Sequence, residues 1–168
     1  MDHAWTCRCC GKQFNTLPMS FAPVAPDPWL NLPESERHSR SKLDSDLCVI
    51  GNTDFFVRGC LEIPVFNCEE PFLWGAWISV SKQNFEHILE TWNLQIRKDE
   101  PPMFGWLCNN ISVYPTTLGL KARAYLRDEG KRPLIELEST DHPLAIEQRQ
   151  GISLQRVEEI AAALLPIH

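Results

Sequence analysis

Nine consecutive residues, 72–80, limit what this chain can fold into more than any other stretch does. Phe72, Trp74, Ala76, Ile78 and Val80 alternate with Leu73, Gly75, Trp77 and Ser79. Strand side chains point to opposite faces in turn, so both faces of this segment are largely apolar. Such a strand belongs in the middle of a sheet, not at a solvated edge. The same alternation sends Trp74 and Trp77 to opposite sides, which predicts one in the core and the other on a surface patch.

The flanking segments supply partners for that strand. From Asp46 the chain is β-branched and aromatic, and Gly51-Asn52-Thr53-Asp54 breaks it into a hairpin of 47–50 against 55–63. After the strand, Ser81 caps a helix whose apolar face is Phe85, Ile88, Leu89 and Trp92. Residues 93–103 read as a polar loop with Pro101-Pro102, and 104–108 as a short buried strand or turn. A second hairpin pairs 120–127 with 134–138 across Asp128-Glu129-Gly130-Lys131. Asp141 or His142 caps a short helix begun by Pro143 and stopped by Gly151. Ser153 caps a last helix with a stripe of Leu154, Val157, Ile160, Ala161, Leu164 and Leu165. The fold class is α+β, a mainly antiparallel sheet with packed helices and an N-terminal zinc-knuckle-like cysteine motif.

No composition shift marks a boundary, so 1–168 reads as a single domain: a cysteine knuckle at 1–16, a proline-rich wrapping segment at 17–32 and the α+β core at 43–168. Prolines 18, 23, 26 and 28 exclude helix and most central strand positions from the wrapping segment, which Phe21, Trp29 and Leu30 pin to the body. Pro33 opens a short polar helix at 34–40, acidic first and basic last, as the helix dipole favours.

At 168 residues the chain can bury enough surface to fold without a disulfide or a metal. Its formal charge of −6 repels phosphate backbones and anionic lipid, so a basic protein is a better expected partner than nucleic acid or membrane. The opening residues lack the charge and apolar run of a signal peptide, and no segment reaches spanning length, so a soluble, cytoplasmic protein is expected. There the seven cysteines stay reduced and act as buried thiols or metal ligands.

Cys7-Arg8-Cys9-Cys10-Gly11-Lys12 holds a C-x-x-C pair, Cys7 and Cys10, followed by a glycine that permits a tight turn. Two thiolates at that spacing are half of a tetrahedral zinc site. The other ligands must come from Cys48, Cys60, Cys68, Cys108, His3, His38 or His142. In a regular hairpin Cys60 lies roughly 13 Å along the strand from the position opposite Cys48, so one ion does not reach both. A bulge at Gly59 favours Cys60 as the third ligand. The competing readings are Cys48, Cys60 and Cys108 as small core hydrophobes, and a knuckle that is a metal-free, redox-labile loop.

For catalysis the available groups are Cys108 or Cys60 with His142, or Glu62 with Arg58, and none stands in a catalytic motif. Arg58 and Glu62 share a strand face as a solvated ion pair, and His142 serves as a helix-start residue. Six tryptophans in a chain this small favour a binding module, with Trp77, Trp106, Arg58, Glu62 and His142 as the partner-binding set. A toxin-immunity or antitoxin role fits that class by analogy, a zinc-ribbon regulatory adaptor is a third reading, and oligomeric state is left open.

Several blocks together resemble the bacterial domain-of-unknown-function family 2199. They are the Cys7–Cys10 cluster, Leu43 to Ile50, Phe55 to Pro64, Trp74-Gly75-Ala76-Trp77-Ile78-Ser79, Phe104-Gly105-Trp106-Leu107 and Asp141 to Gln148. The resemblance covers nearly the whole chain and implies a small free-standing bacterial protein with knuckle and sheet in one unit. It carries over no activity, cofactor or catalytic residue.

Overall fold

The computed structural model describes residues 2–165; Met1 and the last three residues of the core expected at 43–168 lie outside that description. In chain order the elements are β1 (Trp5–Thr6), β2 (Gln13–Phe14), β3 (Ser20–Phe21), α1 (Asp27–Leu30), α2 (Glu34–Arg40), β4 (Ser41–Leu43), β5 (Leu47–Ile50), β6 (Asp54–Ile63), β7 (Phe72–Val80), α3 (Lys82–Thr91), β8 (Met103–Leu107), β9 (Lys121–Tyr125), β10 (Leu134–Leu137), α4 (Pro143–Gln150) and α5 (Leu154–Leu164).

β6 and β7 form the long antiparallel hairpin on which the rest is built, in unbroken register from Phe55 opposite Val80 to Ile63 opposite Phe72. Each then divides its other edge between two neighbours. β6 pairs with β5 from Asp54 to Val57 and, in parallel, with β10 at Cys60. β7 pairs in parallel with β3 at Leu73 and Trp74, and antiparallel with β8 at Ile78 and Ser79. Because β8 continues to β9 and β9 to β10, the path β6-β7-β8-β9-β10 returns to β6 and closes a five-stranded barrel. The fold is α+β and mostly antiparallel, and closure gives each of the five strands a neighbour on both sides over part of its length, with β3 and β4 ending the sheet outside the ring.

Closure depends on close backbone approach at the middle of the hairpin. A Cβ on Gly59 would lie 2.7 Å from two carbons of Ile135 and 2.9 Å from the carbonyl oxygen of Pro133. A Cβ on Gly75 would lie 2.5 Å from that of Ala22. Gly59 is therefore no bulge: the register runs straight through it, and what it supplies is room for β10.

Two apolar clusters form. The larger contains Trp74, Ile78, Phe85, Ile88, Val157, Ile160 and Ala161, with Leu154, Leu164 and Leu165 packed against it, so the stripe on α5 faces inward. On α3 Phe85 and Ile88 are buried but Leu89 is 47% exposed, and Thr91 takes the inward position. The smaller cluster contains Cys48, Ile50, Phe56, Trp77 and Cys108, with Trp29, Leu32 and Leu43 against it. Trp77 is fully buried there, so the expected surface patch on its side of β7 is absent.

The wrapping segment is the reason. The Trp77 indole N–H donates to the Pro23 carbonyl (3.2 Å), and Asn109 links the Trp77 N–H (2.8 Å) to the Ala25 carbonyl (3.0 Å). Cover by this strap buries the middle of the second face of β7, at Gly75 and Trp77, while Leu73 and Ser79 toward its ends stay partly exposed. Within the strap the prolines do admit a helix: Pro26 and Pro28 fall at the N-terminus of α1, where a missing N–H costs no intrahelical bond. Trp29 anchors the strap through its N–H to Ser41 Oγ (2.9 Å), whereas Leu30 points outward at 39% exposure.

Candidate metal centre and exposed aromatic pair

The knuckle is a minimal hairpin. β1 and β2 pair Trp5 with Phe14 and Thr6 with Gln13, and the two rings stack at 5.0 Å. The Cys7 N–H donates to the Lys12 carbonyl and the Gly11 N–H to the Cys7 carbonyl, both at 2.8 Å. Gly11 completes the turn at φ +70°, a conformation costly for any residue with a Cβ. Three sulfurs converge inside that turn. Those of Cys7, Cys9 and Cys10 all lie within 4.8 Å of one another, with Cys7 buried and the other two exposed. The Cys9 thiol also reaches the Ala162 carbonyl on α5 at 3.7 Å, and His3 meets Glu158 at 3.1 Å, so the knuckle rests on the last helix.

Cys7 and Cys9 share a hydrogen bond at 2.8 Å. That bond lowers Cys7 and raises Cys9, so the pair gives up its first proton more readily than an isolated thiol and holds the second more firmly. Thiolates are what a metal ion binds, and the three side chains can hold one.

The sequence reading paired Cys7 and Cys10 and looked to Cys60 for a third sulfur; the structure groups Cys9 with them instead. Cys60 lies in β6 opposite Gly75, accepts from Arg127 Nη2 at 3.5 Å, and lines a groove of about 500 Å³ with Glu62, Tyr125 and Gln148. Without a bulge at Gly59 it stays in the sheet. Cys48 and Cys108 are likewise interior; burial pushes Cys48 up to about 12 and raises Cys108. The signal for Cys9 was its place between the other two, since a tight turn brings every second residue back toward the same point.

The partner-binding set scatters. Trp77 is interior, as described. Arg58 donates to the Ser45 and Pro23 carbonyls at 3.2 Å each and lies over the Trp77 ring at 5.9 Å, so it clamps the strap; no ion pair joins it to Glu62 among the described residues. Glu62 lines the Cys60 groove. His142 caps α4, its Nδ1 accepting from the Leu144 N–H at 3.1 Å. Trp106 alone of the five is open at 44% exposure, and it meets Phe104, 48% exposed, edge to face at 5.0 Å. Phe104 is the residue that sequence reasoning missed. Alternation along β8, with Met103, Gly105 and Leu107 inward, was the available signal.

A family model described as an uncharacterized protein conserved in bacteria, domain-of-unknown-function family 2199, matches residues 6–152. The chain belongs to this family. The family 2199 match takes in the three cysteines, the strap, the whole barrel and α4, so the knuckle and the sheet are parts of one family unit. No curated protein and no solved structure matches the chain. Among the described residues no helix is long and apolar enough to cross a membrane.

Proposed function

We propose that this family 2199 protein is a cytoplasmic metal-binding protein whose knuckle holds zinc through Cys7, Cys9 and Cys10. The observation that carries the reading is the convergence of three free sulfurs within 4.8 Å on one glycine-closed turn. A turn of this kind fixes the sulfurs before the ion arrives, which lowers the ordering cost of binding. When bound, zinc would tie the knuckle together and hold its thiols as thiolates. Reducing conditions are required, since any two of these sulfurs could otherwise oxidise. The test is metal content of protein purified under reductant, with thiol titration before and after chelation. One zinc per chain, with the protected thiols mapping to Cys7, Cys9 and Cys10, supports the proposal; free thiols throughout at saturating zinc reject it.

A second reading is favoured by Phe104 and Trp106. Two large aromatics in contact and about half exposed suit a docking surface for another protein, and a net charge of −6 favours a basic one. A toxin neutralised by this chain would be one such partner. Trp106→Ala should abolish capture of that partner while leaving the fold intact; capture unchanged in a Phe104→Ala, Trp106→Ala double variant would reject the reading.

A further inference from the structure

Resting on the proposal that Cys7, Cys9 and Cys10 act as one ligand set, we infer that these three sulfurs suffice to hold an ion by themselves. The set then takes trivalent thiophilic ions, arsenic or antimony, in preference to zinc. Zinc in a closed protein site wants four ligands in a tetrahedron. Among the described residues no fourth Cys, His, Asp or Glu joins the group, and His3 and Glu158, which tie the N-terminus to α5, are engaged with each other. All three sulfurs come from four consecutive residues of one turn, so they approach an ion from one side. That is the arrangement of a pyramidal three-sulfur complex, in which a lone pair occupies the outward position and needs no ligand.

Cys9 borders a groove of about 410 Å³ between the knuckle and α5. The groove exposes mainly apolar atoms, although Thr6, Arg8, Gln155, Glu158 and Glu159 also line it. Glu158 and Glu159 stand at the groove, but Glu158 already accepts from His3, and Glu159 faces Arg156 at 3.8 Å. A lone pair suits such an environment better than a zinc coordination position that must be filled by water. The reaction balances without a redox step: arsenous acid and three thiols give one arsenic bound to three sulfurs and three waters. Three S–H and three As–O bonds break while three As–S bonds and three water O–H bonds form, and arsenic stays trivalent.

The experiment uses the full chain, reduced with a phosphine, loaded with zinc and then mixed with sodium arsenite. Native mass spectrometry should show one arsenic replacing zinc, at the mass of the metal-free reduced chain plus arsenic less three hydrogens. Alkylation mapping on the unaltered sequence should find Cys7, Cys9 and Cys10 protected together. Cys9→Ser should weaken arsenite binding by about tenfold or more, since it leaves two sulfurs. Cys60→Ser should bind as wild type, and far-ultraviolet circular dichroism checks that both variants fold. Zinc retained against excess arsenite, or an adduct that has lost only two thiol hydrogens, overturns the three-sulfur preference while leaving the metal site standing. Failure of zinc and arsenite alike to protect these three thiols overturns both.

Discussion

Replacing Gly59 with alanine tests whether the barrel is closed as tightly as its geometry states. The added methyl would meet Ile135 Cγ1 and Cδ1 at 2.7 Å and the Pro133 oxygen at 2.9 Å, distances well inside ordinary carbon contact. The oxygen is not free to retreat, because it accepts the Cys60 N–H at 2.8 Å, and Ile135 is itself 98% buried, with 2% exposed. Relief therefore requires β10 to move away from β6. Overpacking of this kind costs about 1–3 kcal/mol, and involvement of a backbone atom places Gly59→Ala near the upper end. A loss of about 3 kcal/mol lowers the melting midpoint of a chain this size by roughly 6–12 °C. Urea unfolding followed by tryptophan fluorescence measures it. Ile135→Val removes Cδ1 and should by itself cost about 1 kcal/mol. Combined with Gly59→Ala it removes one of the three clashes, so the double variant should be more stable than the sum of the singles by about 0.5–1 kcal/mol. A Gly59→Ala variant within about 0.5 kcal/mol of wild type, or strictly additive singles, refutes the close approach.

Trp77→Ala should cost about 3–5 kcal/mol in the same unfolding assay, because it empties the centre of the smaller cluster; a cost below about 1 kcal/mol would return Trp77 to the surface. Trp106→Ala should change stability by no more than about 0.5 kcal/mol, and a larger loss would mean that β8's outer face is packed. Gln148 substitutes for a strand on the free edge of β10, accepting from the Leu137 N–H at 2.9 Å and donating to the Ile135 carbonyl at 2.8 Å. Gln148→Ala should cost about 1–3 kcal/mol and accelerate hydrogen exchange at Leu137, and unchanged exchange there would reject that role. Asp128 accepts from the Arg97 and Lys98 N–H groups at 2.6 and 2.9 Å, which hold its carboxyl below the ordinary 3.8. A depressed folded value means that its contribution is complete above 3.8 and is lost as pH falls through the lower folded value. Asp128→Asn should accordingly flatten the fall in stability below that pH, and identical acid limbs for variant and wild type would sink this attribution.

What could be read from residues was what local pattern controls. The period-2 apolar segments, the serine caps at Ser81 and Ser153, and the helix bounds at 34–40 depend on near neighbours, and the structure places them as the sequence suggests. Closure of the sheet was not legible, because it rests on a single parallel pairing between Leu134 and Cys60, far apart in the chain. Gly59 carried a sign of it, but a strand glycine marks a bulge and a close approach alike. Trp77 was misplaced for a related reason: alternation specifies which face a side chain takes, and says nothing of what covers that face. At the knuckle, motif spacing selected Cys7 and Cys10 and passed over Cys9, although a two-residue step inside a tight turn also brings sulfurs together.

The exposed aromatic pair lies on β8, and its surroundings bear on the kind of partner the docking reading would require. Phe104 stands opposite Arg123 and Trp106 opposite Lys121 on β9, all four exposed. On the next strand Arg123 stands opposite Glu136, and the Glu138 N–H bonds to the Lys121 carbonyl. Aromatic, cationic and anionic columns thus run side by side, and each cation has a carboxylate for a neighbour. A nucleic-acid surface draws on uncompensated positive charge to displace counterions, and mixed signs on this face favour a protein under the docking reading. On the docking reading proposed above, an apolar centre with a rim of both signs suits a protein partner, for which the aromatics would supply affinity and the flanking charges would set register.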